Sequence, residues 1–345
     1  MSEQPAVPAT SGVPTVFIGS GAFAVPVLDA LAAAPEVRLA GVVTAPARPA
    51  GRGERLRPSP VAARASALGI GPILEPPRLR APSAIAEIEA LRPGLLVLAD
   101  YGQIVPRALL LLPAHGALNL HPSLLPRHRG ASPVPATILA GDRQTGVTLM
   151  LMDEGLDTGP VVAQVAVPLG GSETAPELEA QLAEEGADLL RTVLGDWLAG
   201  RRTVRAQSSD GATMTHPLHR EDGRLDPSRD AAALERQVRA YQPWPGTWAE
   251  SVAGRLIVWE ARPLAVGSEL GTSAPTAGTG APPWSAGPTL GLIVGDDGGL
   301  AVLVSDGALR LEEAQLAGSR RMSAAELRRG HPELVGSRLG APALP

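Results

Sequence analysis

Cysteine is absent from this chain, so neither a disulfide framework nor a thiolate metal site is available. Lysine is absent too, and all 30 basic side chains are arginine. Asn119 is the only asparagine. Both gaps fit a GC-rich coding bias that favours Arg, Asp and Ser, and an asparagine retained against it is expected to do something those residues cannot. No apolar run is long enough to span a bilayer. The opening residues, MSEQPAVPATSGVPT, lack the basic and apolar regions of a signal peptide and read as a disordered tail over residues 1–14. These absences fit a reducing compartment, and a cytoplasmic location is expected. A net charge of −5 excludes a globally basic footprint, so any nucleic-acid contact must rest on local arginine clusters.

What is present suggests two domains. The chain has 345 residues, 44% of them hydrophobic, enough for real cores, while 39 Gly and 35 Pro imply many turns. Thr15 to Ile18 reads as a strand that runs through GSGAFA (19–24) into a helical pattern. The spacing fits a dinucleotide-binding turn, but the second strand, RLAGVV (38–43), is not followed by the acid that would hold a ribose. A tight turn that aims a helix N-terminus at a site is the better reading. Thr44 to Pro60 is too rich in Pro and Gly for regular structure and carries Arg48, Arg52, Arg55 and Arg57. It is either a solvated loop or an arm that grips phosphates.

Strands then alternate with helices: Leu95–Leu98, Gly116–Leu120, Gly146–Met152 and Val161–Pro168 as strands, Pro133–Ala140 and Glu173–Leu198 as helices. That alternation predicts an α/β fold, a Rossmann-like, open, mostly parallel sheet whose ligands bind beyond the C-terminal strand ends. GSGAFA, ADYG (99–102) and NLHPSLLP (119–126) all lie at such ends and should converge. The first domain is expected over 15–205, with a linker over 206–226. From 227 to 345, short β-prone runs separated by glycine suggest a small OB-like β-barrel, interrupted by a low-complexity insert at 266–289.

The candidate chemistry lies in Asn119, His121 and Asp157. Asn119 and His121 are two apart and project to one side of a strand. An imidazole can hold or pass a proton, an aspartate can orient it, and an Asn amide can donate to a developing oxyanion. No nucleophile elbow is present. No His/Glu cluster has metal spacing either, so no metal is expected. Direct attack by a substrate's own nucleophile on a carbonyl suits such a set. From spacing alone, a structural histidine and a turn aspartate are the commoner reading.

The stretch NLHPSLLPRHRG (119–130), followed by GVTLMLMDEGLDTGPVV (146–162), resembles the signature of the folate-dependent formyltransferases. The resemblance implies that Asn119, His121 and Asp157 are catalytic. It implies that Ser123, Leu124, Leu125 and Pro126 contact the co-substrate 10-formyltetrahydrofolate. The stretches TAPARPAGRGERLRPSPV, RAYQPWPGTW and LAGSRRMSAAEL are similar to the branch of that family that acts on initiator methionyl-tRNA. For that branch Arg48, Arg52, Arg55, Arg57, Arg320 and Arg321 would bind tRNA, and the C-terminal barrel would assist them. A monomer is expected. The first turn departs from the family's usual G-T-P-x-F-A, and an arginine pair stands where the family has lysines. An amino-sugar N-formyltransferase, a formyl-folate hydrolase, an NAD-dependent Rossmann enzyme and a non-catalytic RNA-binding protein are the rival readings.

Overall fold

A computed structural model of the chain describes residues 12–50, 55–265, 290–296 and 298–340. The insert 266–289, Arg52 and most of the N-terminal tail lie outside the described residues.

The chain divides into two compact units. The first holds residues 1–133, 143–169 and 177–216, and the second holds 134–142, 170–176 and 217–345. In the first part of the chain the elements run β1 (Val13–Gly19), α1 (Ala24–Ala33), β2 (Val37–Val43), β3 (Arg48–Ala50), β4 (Arg55–Arg57), α2 (Pro60–Ala67), β5 (Ile73–Leu74), α3 (Pro82–Ala90), β6 (Leu95–Ala99) and α4 (Arg107–Leu110). There follow β7 (Ala117–His121), β8 (Arg129–Gly130), α5 (Pro133–Ala140), β9 (Gln144–Leu151), β10 (Val161–Pro168), α6 (Ala175–Leu198) and β11 (Met214–Thr215).

Seven strands form one sheet in the order β10-β9-β7-β6-β1-β2-β5. The pairs from β7 to β5 are parallel, and β9 and β10 join antiparallel at one edge. Alternation explains its two-sided core. Val16, Ile18, Leu96 and Leu98 pack with Ile88 and Leu109 on one face. Phe17, Val97, Leu118 and Leu120 are also buried, as strands covered on both faces require. The stripe expected on α6 is largely buried, with Leu178, Leu182, Leu190 and Val193 at 1% exposure or less. Leu189 is half-buried. Gly186 lets α6 approach Leu120 closely, since a Cβ there would stand 3.2 Å from that side chain.

Two stretches differ from the sequence reading. Thr44 to Pro60 is not wholly irregular: β3 and β4 form a short antiparallel ribbon with Arg48 opposite Arg57. Proline at 49 is tolerated there because a two-stranded ribbon is all edge. The polar stretch after α6 is also more ordered than a linker. Arg205 pairs with Val161, and β11 pairs in parallel with β8.

The second unit contains α7 (Ala231–Ala240), β12 (Thr247–Ser251), β13 (Gly254–Ala265), β14 (Ile293–Asp296), β15 (Gly299–Val304), β16 (Gly307–Leu316), β17 (Met322–Ser323) and α8 (Ala324–Gly330). Its sheet is antiparallel, ordered β12-β13-β16-β15-β14, with β17 on β16. The segment that follows α8 hydrogen-bonds to both ends of this path, at Ile293 and at Glu250. Leu234, Leu256, Val302, Leu309 and Leu327 fill the centre.

Candidate active site

The geometry starts at the adjacent C-terminal ends of β7, β6 and β1. The GSGAFA turn and the ADYG loop meet there: Ser20 and Gly21 donate backbone N–H groups to the Asp100 carbonyl, at 2.9 and 3.3 Å. The glycines of the turn serve packing. A Cβ on Gly19 would stand 2.7 Å from the Ala99 carbonyl, and one on Gly21 would stand 1.6 Å from the Asp100 carboxylate. The Ser20 hydroxyl accepts from the Ala45 N–H at 2.9 Å and from Thr44 at 3.3 Å. The N-terminal end of α1 has no side-chain cap of its own, and the Phe23 N–H there favours the ionised form of Glu179 on α6. The close packing of Gly19 and Gly21 accounts for the glycine turn without a dinucleotide.

Asp100 and Glu179 are electrostatically coupled. Asp100 faces solvent, but protein surrounds it on its other sides, and loss of water raises its pKa above the ordinary 3.8. Desolvation, then repulsion from Asp100, raises that of Glu179. Burial pushes the neighbouring Tyr101 phenol up to about 12.

Asn119 pairs with Leu98 of β6 and Met150 of β9, and His121 pairs with Thr148. The period of two puts both side chains on one face. Asn119 is half-buried, and its amide has no hydrogen-bond partner among the described residues. His121 is 5% exposed. Its Nε2–H donates to the His128 carbonyl at 2.9 Å. A carbonyl can only accept, so Nε2 carries the proton and Nδ1 is the nitrogen free to gain or lose one. Nδ1 lies 3.7 Å from Asp157 Oδ2. That is longer than a direct hydrogen bond and leaves room for a third polar atom.

Asp157 sits in the turn between β9 and β10 with a positive φ of 53°. Few side chains other than Gly, Asn and Asp adopt that conformation. The turn is locally over-determined. Thr158 donates its hydroxyl to Asp153, Gly155 donates its N–H to the same carboxylate at 3.0 Å, and Gly159 packs directly on the Leu151 carbonyl. The Gly130 N–H donates to Asp157 Oδ2 at 2.8 Å. His121 and Asp157 therefore come together from separate loops.

The four SLLP residues are placed differently from one another. Ser123 is fully buried, and its hydroxyl donates to the Arg127 carbonyl at 2.6 Å. Leu125 is buried, while Leu124 and Pro126 are half-buried. The side chains of Ser123 and Leu125 thus shape the loop. Two exposed apolar residues that periodicity could not single out lie on the loops that follow β6 and β9: Ile104, 86% exposed, and Leu156, 53% exposed. Arg107 and Glu154 form an exposed ion pair between those loops at 3.2 Å. Sequence reasoning also missed Gln207, which carries no motif signal. Its Nε2 donates to the carbonyls of Asp157 and Gly159, at 2.9 and 2.7 Å.

The arginines fall into separate groups. Arg48 and Arg57 are exposed and directly opposite each other on the ribbon, with no carboxylate partner among the described residues. Arg55 lies on β4, and Arg52 is outside the described residues. In the second unit Arg320 pairs with Glu326 at 3.1 Å, and Arg321 pairs with Glu313 and lies 5.4 Å from the centre of the Trp259 ring.

Comparison with known proteins places this arrangement. A family model described as formyl transferase matches residues 14–194, and one described as formyl transferase, C-terminal domain, matches 217–332. The chain belongs to the formyl transferase family. Among curated relatives, the methionyl-tRNA formyltransferase of Roseiflexus castenholzii is 42% identical over 94% of this chain and 98% of its own length. The enzyme of that name from Halorhodospira halophila is 45% identical over 91% of this chain and 95% of its own. Among solved structures, HypX from Aquifex aeolicus in complex with tetrahydrofolic acid superposes with a TM-score of 0.58 at 16% identity. It covers 97% of this chain and 49% of that one. An N-formyltransferase from Helicobacter canadensis has a TM-score of 0.57 at 14% identity, covering 90% of this chain and all of that one. These structural likenesses speak to the fold.

Proposed function

We propose that this chain transfers the formyl group of 10-formyltetrahydrofolate to the α-amino group of initiator methionyl-tRNA, giving N-formylmethionyl-tRNA. It does so as a monomer in the cytoplasm. The observation that carries the reading is the meeting of His121 and Asp157 beside an unpartnered Asn119 amide, in a chain that aligns almost end to end with relatives named for this reaction. The co-substrate supplies an activated formyl carbonyl. The residues present suit it: a free amide donor lies on the strand, and Ile104 and Leu156 offer apolar surface for a flat ring.

A free α-amine has a pKa of about 7.7–8.0. The ester link of an aminoacyl group lowers it, so a substantial share is neutral near pH 7 and no strong base is needed. Asn119 donates its amide N–H to the formyl oxygen as negative charge gathers there. His121, held by the His128 carbonyl, exchanges the proton of the attacking nitrogen at Nδ1. Asp157 stabilises the imidazolium that results. The tetrahedral intermediate then collapses, the bond between the formyl carbon and the folate nitrogen breaks, and the imidazolium returns the proton to that nitrogen as tetrahydrofolate leaves. Arg48, Arg52, Arg55 and Arg57 bind the phosphates of the acceptor end. Exposed ion pairs are worth only about 0–1 kcal/mol, so phosphate can also displace the acids from Arg320 and Arg321.

The test is incubation with labelled 10-formyltetrahydrofolate and, in parallel, charged initiator tRNA, a nucleotide-linked amino sugar, water alone, or NAD. Label on the methionyl amine is expected. Label on the sugar amine, formate release alone, or reduction of NAD would each replace the reading.

A further inference from the structure

We propose that residues 205–215, expected from sequence to belong mostly to a linker, are a strap that positions the catalytic pair, and that Gln207 is its principal positioning residue. The proposal rests on the reading of His121 and Asp157 as catalytic. It begins where Arg205 exchanges backbone hydrogen bonds with Val161, both at 2.8 Å, just after the Asp157 turn. The Arg205 side chain donates to Gln164 at 3.0 Å, and Gln164 donates to the Leu125 carbonyl at 2.9 Å.

Gln207 then bridges two segments. Its Nε2 holds the Asp157 and Gly159 carbonyls, and its Oε1 accepts from Arg129 Nε and Nη2 at 3.1 and 2.7 Å. Both ends of the amide are used, so its orientation is fixed. Further along, the Thr213 hydroxyl accepts the His128 N–H at 2.8 Å, and the Thr213 carbonyl accepts the Arg129 N–H at 2.9 Å. Thr215 accepts the Ser132 N–H at 3.1 Å and donates to the Arg129 carbonyl at 3.0 Å.

The consequence is that one strap governs both sides of the pair. His121 is oriented by the His128 carbonyl, and Thr213 holds His128. Asp157 is oriented by the Gly130 N–H and by its own backbone, and the strap holds both. Gly130 has a φ of +107°, and a Cβ there would stand 2.5 Å from the Thr215 carbonyl. No ligand is invoked, and no part of the strap touches the reacting atoms. A displacement of about 1 Å at a reacting group can cost about 10²-fold in rate, which gives such a device its leverage.

The experiment is steady-state and single-turnover formylation of methionyl-tRNA by Gln207→Ala and Gln207→Glu. Both should lose about 10- to 100-fold in kcat, while the KM for each substrate moves by less than about threefold. Gln207→Glu matches the parent in size and keeps an oxygen for Arg129 but has no N–H for the two carbonyls. It carries the test should Gln207→Ala fail to fold. Introduced into Asp157→Asn, either substitution should cost less than about twofold, because the carboxylate it positions is already gone. Parent-like kcat, a loss confined to KM, or an undiminished loss in the Asp157→Asn background overturns the strap and leaves the catalytic reading standing. Full turnover by Asp157→Asn alone overturns that reading, and the strap with it.

Discussion

The His121–Asp157 pair and the arginine ribbon are built on opposite plans. His121 and Asp157 are nearly buried, and each is held by backbone groups that belong to other loops. Arg48 and Arg57 stand in the open on two three-residue strands. They face each other with like charge, an arrangement that costs stability unless an anion lies between them. Acyl transfer needs atoms fixed to within a fraction of an ångström. Phosphate attraction needs only charge at roughly the right place, and mobility there costs little. The chain thus spends its hydrogen bonds on the first region and few on the second.

Substitutions can break or sharpen that contrast. The largest effect should come from Asn119→Ala and His121→Ala, each lowering single-turnover formylation by about 10²–10³ while far-UV circular dichroism is unchanged. Near-normal turnover in both would dissolve the catalytic half of the comparison. Gly130→Ala should come next. It forces a side chain into positive φ and against the Thr215 carbonyl, costing about 1–3 kcal/mol, visible as a lower Tm together with a lower kcat.

On the other plan, Arg48→Ala and Arg57→Ala should leave folate affinity alone and weaken tRNA binding. Each should reduce the slope of log K against log salt by about 0.7–0.9. An unchanged slope would remove the ribbon from the RNA contact. The smallest effect belongs to Asp100→Asn. Desolvation raises the folded-state pKa of Asp100, so its ionised form destabilises the fold at neutral pH, and that penalty vanishes as pH falls toward the ordinary 3.8. The variant should therefore have a higher Tm than the parent at pH 7, with the gain disappearing in acid. A gain that grows in acid would contradict this.

The order of elements was legible because apolar periodicity records it directly: the runs at Leu95–Leu98 and Val161–Pro168 are strands, and Pro133–Ala140 is a helix. Residue type and motif singled out Asn119, His121 and Asp157, and the structure brings His121 and Asp157 together. What escaped had no local signature. Gln207 is one polar residue in a polar stretch, and only the fold shows which carbonyls it reaches. Gly21 read as part of a tight turn, whereas its glycine is required by a carboxylate about eighty positions away in the chain. The ribbon at 48–57 was hidden because proline and glycine usually mark irregular backbone. Ser123 has a hydroxyl in a loop next to the site, and only packing shows that it turns inward.

The His128 carbonyl has one more consequence. An imidazole flipped end for end would set a carbon against that oxygen, so the ring is handed and cannot interchange its two faces of reactivity. His121 has a single port for protons, and a nitrogen-15 spectrum should show the directly bonded proton on Nε2.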